Sequence, residues 1–206
     1  MQQVREVESI VFVQDGEVLA CRLPREVGHQ MGVVSGSRPL CYRDLLMDRA
    51  TFFAIMGAFP TGVCIVTTVD ADQQPRGLTS NALCSVSAEP PLMLVCVDKN
   101  SNTLPGLRHS QKFVVNYLSA GRGDLANLFA SKEPDKFDRI SWRPAHNGMP
   151  WLQADSIAYA ECSITQEIES GDHYIFIGQV EHGQPPAPGT RPLIYFRRSY
   201  GTWDGE

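Results

Sequence analysis

No stretch of this 206-residue chain approaches the roughly 18 consecutive apolar residues of a membrane-spanning helix; the longest candidates, Pro90–Val97 and Gly62–Thr68, are strand-sized. No Lys/Arg-rich run occurs, and the net charge of −5 argues against nucleic acid as a partner, because phosphate backbones are held by clustered cations. The N-terminal MQQVREVESIV mixes acids and bases before any apolar run, so it is not a secretory signal. With neither signal nor span, no membrane association is expected and the cytoplasm is the expected compartment. The cysteines, Cys21, Cys41, Cys64, Cys84, Cys96 and Cys162, include no C-x-x-C pair of the kind a zinc site would want. Several lie in apolar runs such as Val95-Cys96-Val97, as reduced, buried small hydrophobes do. A G-x-S-x-G elbow is missing, which removes that hydrolase class. So is a G-x-G-x-x-G turn after a strand, Gly121-Arg-Gly-Asp being too short, which removes a Rossmann site. No internal repeat is present.

What remains is ordinary globular composition, 43% hydrophobic and 20% charged, enough for one compact domain plus an extension. Residues 7–23 read as a β-hairpin, with Val11 and Val13 before Asp15-Gly16 and Val18 and Leu19 after it. Gly28–Pro39 separates this hairpin from the rest, so residues 1–45 form an N-terminal extension and 46–206 the main domain. A helix is expected from Arg43, with Asp44 as N-cap and Gly57 and Pro60 ending it. Strands are expected at 62–69, 76–87, 91–97, 112–118, 156–168, 172–181 and 192–198, and short helices at 102–109 and 122–130. Within 157–168, Ala158, Ala160, Cys162, Ile164 and Ile168 share one face. The polar segment 131–155 reads as a long loop of the kind that often carries function. Many short strands with few helices predict a mostly β fold built on a closed or partly closed barrel.

Two polar clusters stand out. The strand bearing Thr79, Ser80, Asn81 and Ser85 is unusually polar for a core strand. Asp98-Lys-Asn-Ser-Asn-Thr103 follows an apolar strand and precedes a short helix, where hydroxyls, amides and free N–H groups suit a phosphate. On local pattern alone, Ser101 or Asn102 reads as an N-cap.

In chain order, Thr61-Gly-Val, the 77–91 segment, Asn100–Thr103, Asp135-Lys-Phe137, Gly171-Asp-His173 and Tyr195–Tyr200 resemble the flavin reductase-like family over roughly residues 50–203. The resemblance implies an FMN-binding split β-barrel, here with a few short helices and the N-terminal extension. It implies hydride transfer from NADH or NADPH to FMN or FAD, delivery of reduced flavin to a partner monooxygenase, and a homodimer. It assigns Thr79, Ser80, Asn81 and Ala82 to the flavin, with Ser85 and Val86 continuing that wall and Thr61 at the ring edge. Ser101, Asn102 and Thr103 lie near the ribityl or phosphate, and Lys136 offers charge to the phosphate or is a solvated loop lysine. Phe129 borders the ring or holds its helix down. His173 goes to the nicotinamide or is a turn-flanking histidine, and Tyr200 stacks at the ring face or packs the C-terminus. No metal is implied, and no acid–base pair is needed, because hydride transfer is cofactor chemistry. A flavin-binding protein that does not reduce flavin, or another redox enzyme on the same scaffold, is the alternative.

Overall fold

A computed structural model of the chain describes residues 9–14, 17–22 and 47–204. The chain divides into two units, Met1–Phe53 and Ala54–Glu206. In the first, β1 (Ser9–Gln14) pairs antiparallel with β2 (Glu17–Arg22), Gln14 opposite Glu17, as the alternation expects. Asp15-Gly16 itself lies outside the described residues, as does Asp44. The helix α1 (Arg49–Met56) is capped by Asp48, whose Oδ1 accepts the N–H groups of Ala50 and Thr51 at 2.9 and 3.0 Å. The cap therefore falls later than expected, at the carboxylate able to take up the orphan donors of the first turn.

The second unit is built on a seven-stranded sheet. Its strands in chain order are β4 (Cys64–Val69), β5 (Pro75–Ser80), β6 (Leu83–Ala88), β7 (Pro91–Asp98), β8 (Lys112–Leu118), β11 (Ser156–Ser170) and β12 (His173–Gln184). In space the order is β5-β4-β8-β11-β12-β7-β6, every pairing antiparallel. The two edge strands, β5 and β6, are joined only through Asn81 and Ala82. A sheet whose edges are linked by two residues must curl until those edges meet, yet no ladder closes them, so the barrel is split there. The single strand expected over 76–87 is thus two strands, broken where the sheet edge turns.

β4 explains the unbroken apolar run around 64–69. Cys64 and Val66 face the barrel interior with Val95, Phe113, Val115 and Phe176. Val63 and Ile65 face a second cluster, under α3 (Gly123–Ala130), with Leu118, Phe129 and Leu152. A strand covered on both faces loses its alternation. Gly178 on β12 is required by the same packing: a Cβ there would lie 2.7 Å from the Phe113 ring.

β3 (Thr61–Gly62), β13 (Leu193–Phe196) and β14 (Ser199–Thr202) form a second, small sheet in the order β14-β13-β3. The expected strand 192–198 is therefore a hairpin, turning at Arg197 and Arg198, both at positive φ, 47° and 64°. Segment 131–155 is a structured strap, not an open loop. It holds a 3-10 turn (Lys136–Arg139) and a short antiparallel pair, β9 (Arg143–Pro144) with β10 (Pro150–Trp151). The fully buried Glu161 carboxylate accepts the N–H groups of His146 and Asn147 at 3.1 and 2.6 Å. The buried Asn116 accepts the Leu152 N–H at 2.8 Å. Both side chains satisfy strap donors that would otherwise be orphaned. The helix α2 (Leu104–Ser110) presses on the end of β4, with only 3.0 Å between a Cβ at Gly106 and the Thr68 methyl.

Candidate functional site

The predicted residues gather in two groups. The first is at the β5–β6 break. Asn81 Nδ2 donates to Thr61 Oγ1 at 3.0 Å, tying the break to the small sheet. Thr79 Oγ1 donates to the Ala126 carbonyl of α3 at 2.6 Å. Ser80 is buried, its Oγ accepting the Ala82 N–H at 3.1 Å, which shapes the turn. Tyr195 pairs with both Thr61 and Tyr200 across β13, bringing Tyr200 to the same place. The Tyr200 hydroxyl donates to Asn127 Oδ1 at 3.1 Å, and its ring lies over Gly123, where a Cβ would come within 3.0 Å. Burial and the neighbouring Tyr195 push the Tyr200 phenol above the ordinary tyrosine range. Ser85 and Val86 lie exposed on β6, where Ser85 pairs with Met93 and Ser87 with Leu92, leaving Val86 as a bulge. A bulge of this kind re-aims side chains at the edge of a sheet.

The second group lies where β7 meets β12. His173 pairs with Asp98, and the Lys99 N–H donates to the Asp172 carbonyl at 3.0 Å, so the Gly171–His173 turn lies beside Asp98–Thr103. His173 Nδ1 is 2.7 Å from Asp172 Oδ1, which orients an imidazole whose side chain is 42% exposed. Asp98 Oδ1 accepts the Asn100 N–H at 2.6 Å, and Ser101 Oγ accepts the Thr103 N–H at 3.2 Å. Neither Ser101 nor Asn102 caps α2: the cap position is Thr103, 2% exposed and without a side-chain cap bond. Pro105 in the first turn has no N–H to satisfy, which lowers the demand for one.

A cleft of about 370 Å³ continues from this group along β5. Arg76, Gly77, Asn102, Thr103, Lys136 and Phe137 line it among others. Lys136 Nζ donates to the Phe129 carbonyl at 2.9 Å, capping the C-terminus of α3. Burial, with Lys132 close by, pulls the Lys136 ammonium below the ordinary lysine range. Lys136 is therefore a partly buried cleft cation and not a solvated loop lysine. Phe129 is 1% exposed, stacked edge-on to Phe137 with centroids 5.1 Å apart and packed under Gly77. It has no face left for a ring ligand, so it is the residue that holds α3 to the barrel. Asn127, Tyr195 and Arg76 escape sequence reasoning, since an amide in a helix, a tyrosine and an arginine in strands carry no local signal.

A larger void, about 500 Å³, lies elsewhere, between β8, β11 and the end of β12. Its lining is mostly apolar, Tyr117, Ile157, Tyr159, Val180 and Pro185 among it, and no predicted residue borders it. Size alone does not mark the chemistry here; the convergent polar groups are at the split. Among the described residues no cluster of three metal-ligating side chains occurs, and no helix is long and apolar enough to cross a membrane.

A family model described as flavin reductase like domain matches residues 56–204. A Kitasatospora aureofaciens protein named flavin reductase (NADH) is 43% identical over 171 residues, 82% of this chain and 90% of its own. The flavin-dependent monooxygenase reductase subunit HsaB of Mycobacterium tuberculosis is 38% identical over 155 residues, 75% of this chain and 82% of its own. The solved structure of the Streptomyces globisporus C-1027 NADH:FAD oxidoreductase SgcE6, in complex with NAD and FAD fragments, matches with a TM-score of 0.70 at 35% identity. That match covers 75% of this chain and 92% of the other.

Proposed function

Because the chain belongs to the flavin reductase like domain family, we propose that it is an NAD(P)H:flavin oxidoreductase that reduces FMN or FAD and hands the reduced flavin to a partner monooxygenase. The observation that carries the residue assignment is the convergence of Thr61, Thr79, Asn81 and Tyr200 on the one place where the barrel ladder is open. The donors fit a flavin nucleotide. Hydroxyls, amides and unpaired main chain at the split suit the ring edge and ribityl chain. Lys136 in the cleft beyond them offers the phosphate a cation, Arg76 being held by Asp70.

Flavin, when bound, supplies the hydride acceptor, so the chain's part is placement and exclusion of water. In this reading Ser80 and Ala82 fix the turn that presents Asn81. Ser85 and the bulged Val86 extend the wall. Ser101, Asn102 and Thr103 present small polar groups and main chain toward the phosphate end, and Lys136 gives the phosphate its counter-charge. His173, held by Asp172, meets the nicotinamide nucleotide. Tyr200 closes the ring face. Residues 1–45 are an extension added to the reductase domain of 46–206.

We assign the molecule to the cytoplasm, where nicotinamide nucleotides circulate. The four described cysteines, Cys64, Cys84, Cys96 and Cys162, are free thiols, as that compartment keeps them. The chain is a homodimer in this account, with the apolar groove at Ile157 and Tyr159 as part of the covered face. The test of the activity is oxidation of NADH or NADPH that depends on added FMN or FAD. No turnover with any of the four pairs would remove it.

A further inference from the structure

Arg139, Arg143, Arg191, Arg197 and Arg198 are the arginines from which a nucleotide-phosphate contact would be drawn by sequence, and no pattern ranks them. The structure separates them. Arg139 is bound to Glu133 at 2.6 Å and Asp135 at 2.9 Å, and Arg191 to Asp204 at 2.7 Å. Arg143 lies over the Trp151 ring at 4.9 Å. Arg197 and Arg198 form the two-residue tip of the β13–β14 hairpin, both exposed, and neither guanidinium meets a carboxylate among the described residues.

The tip is an expensive place for two arginines. Both sit at positive φ, in the kind of turn that Asn-Gly would fill without strain. It is also fixed, with the Arg197 N–H donating to the Gly57 carbonyl at 3.1 Å and the Arg197 guanidinium over Phe196 at 5.1 Å. Two residues past Arg198 stands Tyr200, whose ring covers Gly123 at the start of α3. Lys136 is bound at the other end of that helix, on Phe129. The hairpin that carries the tip and the Lys136 side chain thus meet opposite ends of α3. If Lys136 holds the flavin phosphate, the tip is left for a second phosphate-bearing molecule.

We propose that Arg197 and Arg198 form a clamp for a phosphate of the incoming nicotinamide nucleotide. The clamp rests on the reductase reading above. Two adjacent guanidinia can each take two phosphate oxygens, a geometry that lysine cannot copy. The 2′-phosphate of NADPH and the pyrophosphate common to both nucleotides share this chemistry.

The experiment measures KM for NADPH and NADH at saturating FMN, and KM for FMN at saturating nucleotide, in wild type, R197N/R198G and R197K/R198K. The Asn-Gly variant keeps the turn and relaxes it, so its Tm should rise, which separates loss of binding from loss of fold. Its KM for the nicotinamide nucleotide should rise about tenfold or more, as loss of charge-assisted bonds requires. The Lys-Lys variant should rise less, and KM for FMN should move less than about twofold in either. A rise for NADPH alone assigns the clamp to the 2′-phosphate; an equal rise for both assigns it to the pyrophosphate. An unchanged nicotinamide KM in the Asn-Gly variant, or a rise confined to FMN, would overturn the clamp. Calorimetric titration with ADP-ribose and its 2′-phosphate, in the absence of flavin, separates this from the reductase reading. Binding that the Asn-Gly variant loses, in a wild type with no turnover, would sink the reductase reading and keep the clamp.

Discussion

Lys136 and His173 carry the proposed phosphate- and nicotinamide-facing roles. Lys136 is partly buried beside another ammonium, so its proton is held less tightly than that of an ordinary lysine. Its charge is present at neutral pH and is lost as pH rises through that lowered value, earlier than an exposed lysine would lose it. The kcat/KM for FMN, which reports the free protein, should therefore fall on the alkaline side, while that for riboflavin, which has no phosphate, should not. Lys136→Met should raise the KM for FMN about tenfold at neutral pH and remove the alkaline fall. His173→Ala should raise the nicotinamide KM more than the flavin KM. Identical pH profiles for FMN and riboflavin would take Lys136 out of the phosphate role, and an unchanged nicotinamide KM would do the same for His173.

At the scale of elements, the strap from 131 to 155 packs on the barrel, and the buried Glu161 carboxylate, with Asn116, anchors it. Replacing Glu161 by Gln removes one acceptor and the charge, leaving a strap N–H weakly held, and should cost about 1.5–3 kcal/mol of stability in a denaturant titration. A variant as stable as wild type would mean that the strap is held without it. This anchor was not legible in the sequence, because Glu161 interrupts an alternation of Ala158, Ala160 and Cys162 and reads as the solvent-facing residue between them. The irregularities of register after Glu161 and after Ile164 upset that alternation, and Ile168 ends 43% exposed. The polar break at Asn81 was hidden for a related reason. Strand propensity runs through residues 78–87 without a Gly or Pro, and only the curl of the sheet interrupts it. What was legible was where most strands fall along the chain and the polar composition of the wall at 79–86. The partners of that wall, Thr61 on β3 and the Ala126 carbonyl on α3, come from distant parts of the chain and appear only once the barrel is folded.

For the whole molecule, a split barrel serves a pair of diffusing redox nucleotides in the proposed reaction. The groove of about 500 Å³ along β8, β11 and β12 is apolar and carries none of the assigned residues, which is the character of a subunit contact more than of a redox site. Light scattering should return twice the chain mass, and a monomer at micromolar concentration would remove the homodimer. The central claim is hydride transfer to flavin, and it is tested most directly without oxygen. A catalytic amount of the protein is mixed anaerobically with FMN or FAD and one equivalent of NADH or NADPH, while the visible absorbance of the oxidised flavin and the near-ultraviolet absorbance of the reduced nicotinamide are followed together. The account predicts that both fall together, one flavin reduced per nicotinamide oxidised. Flavin that stays oxidised beside unconsumed NADH and NADPH would contradict it.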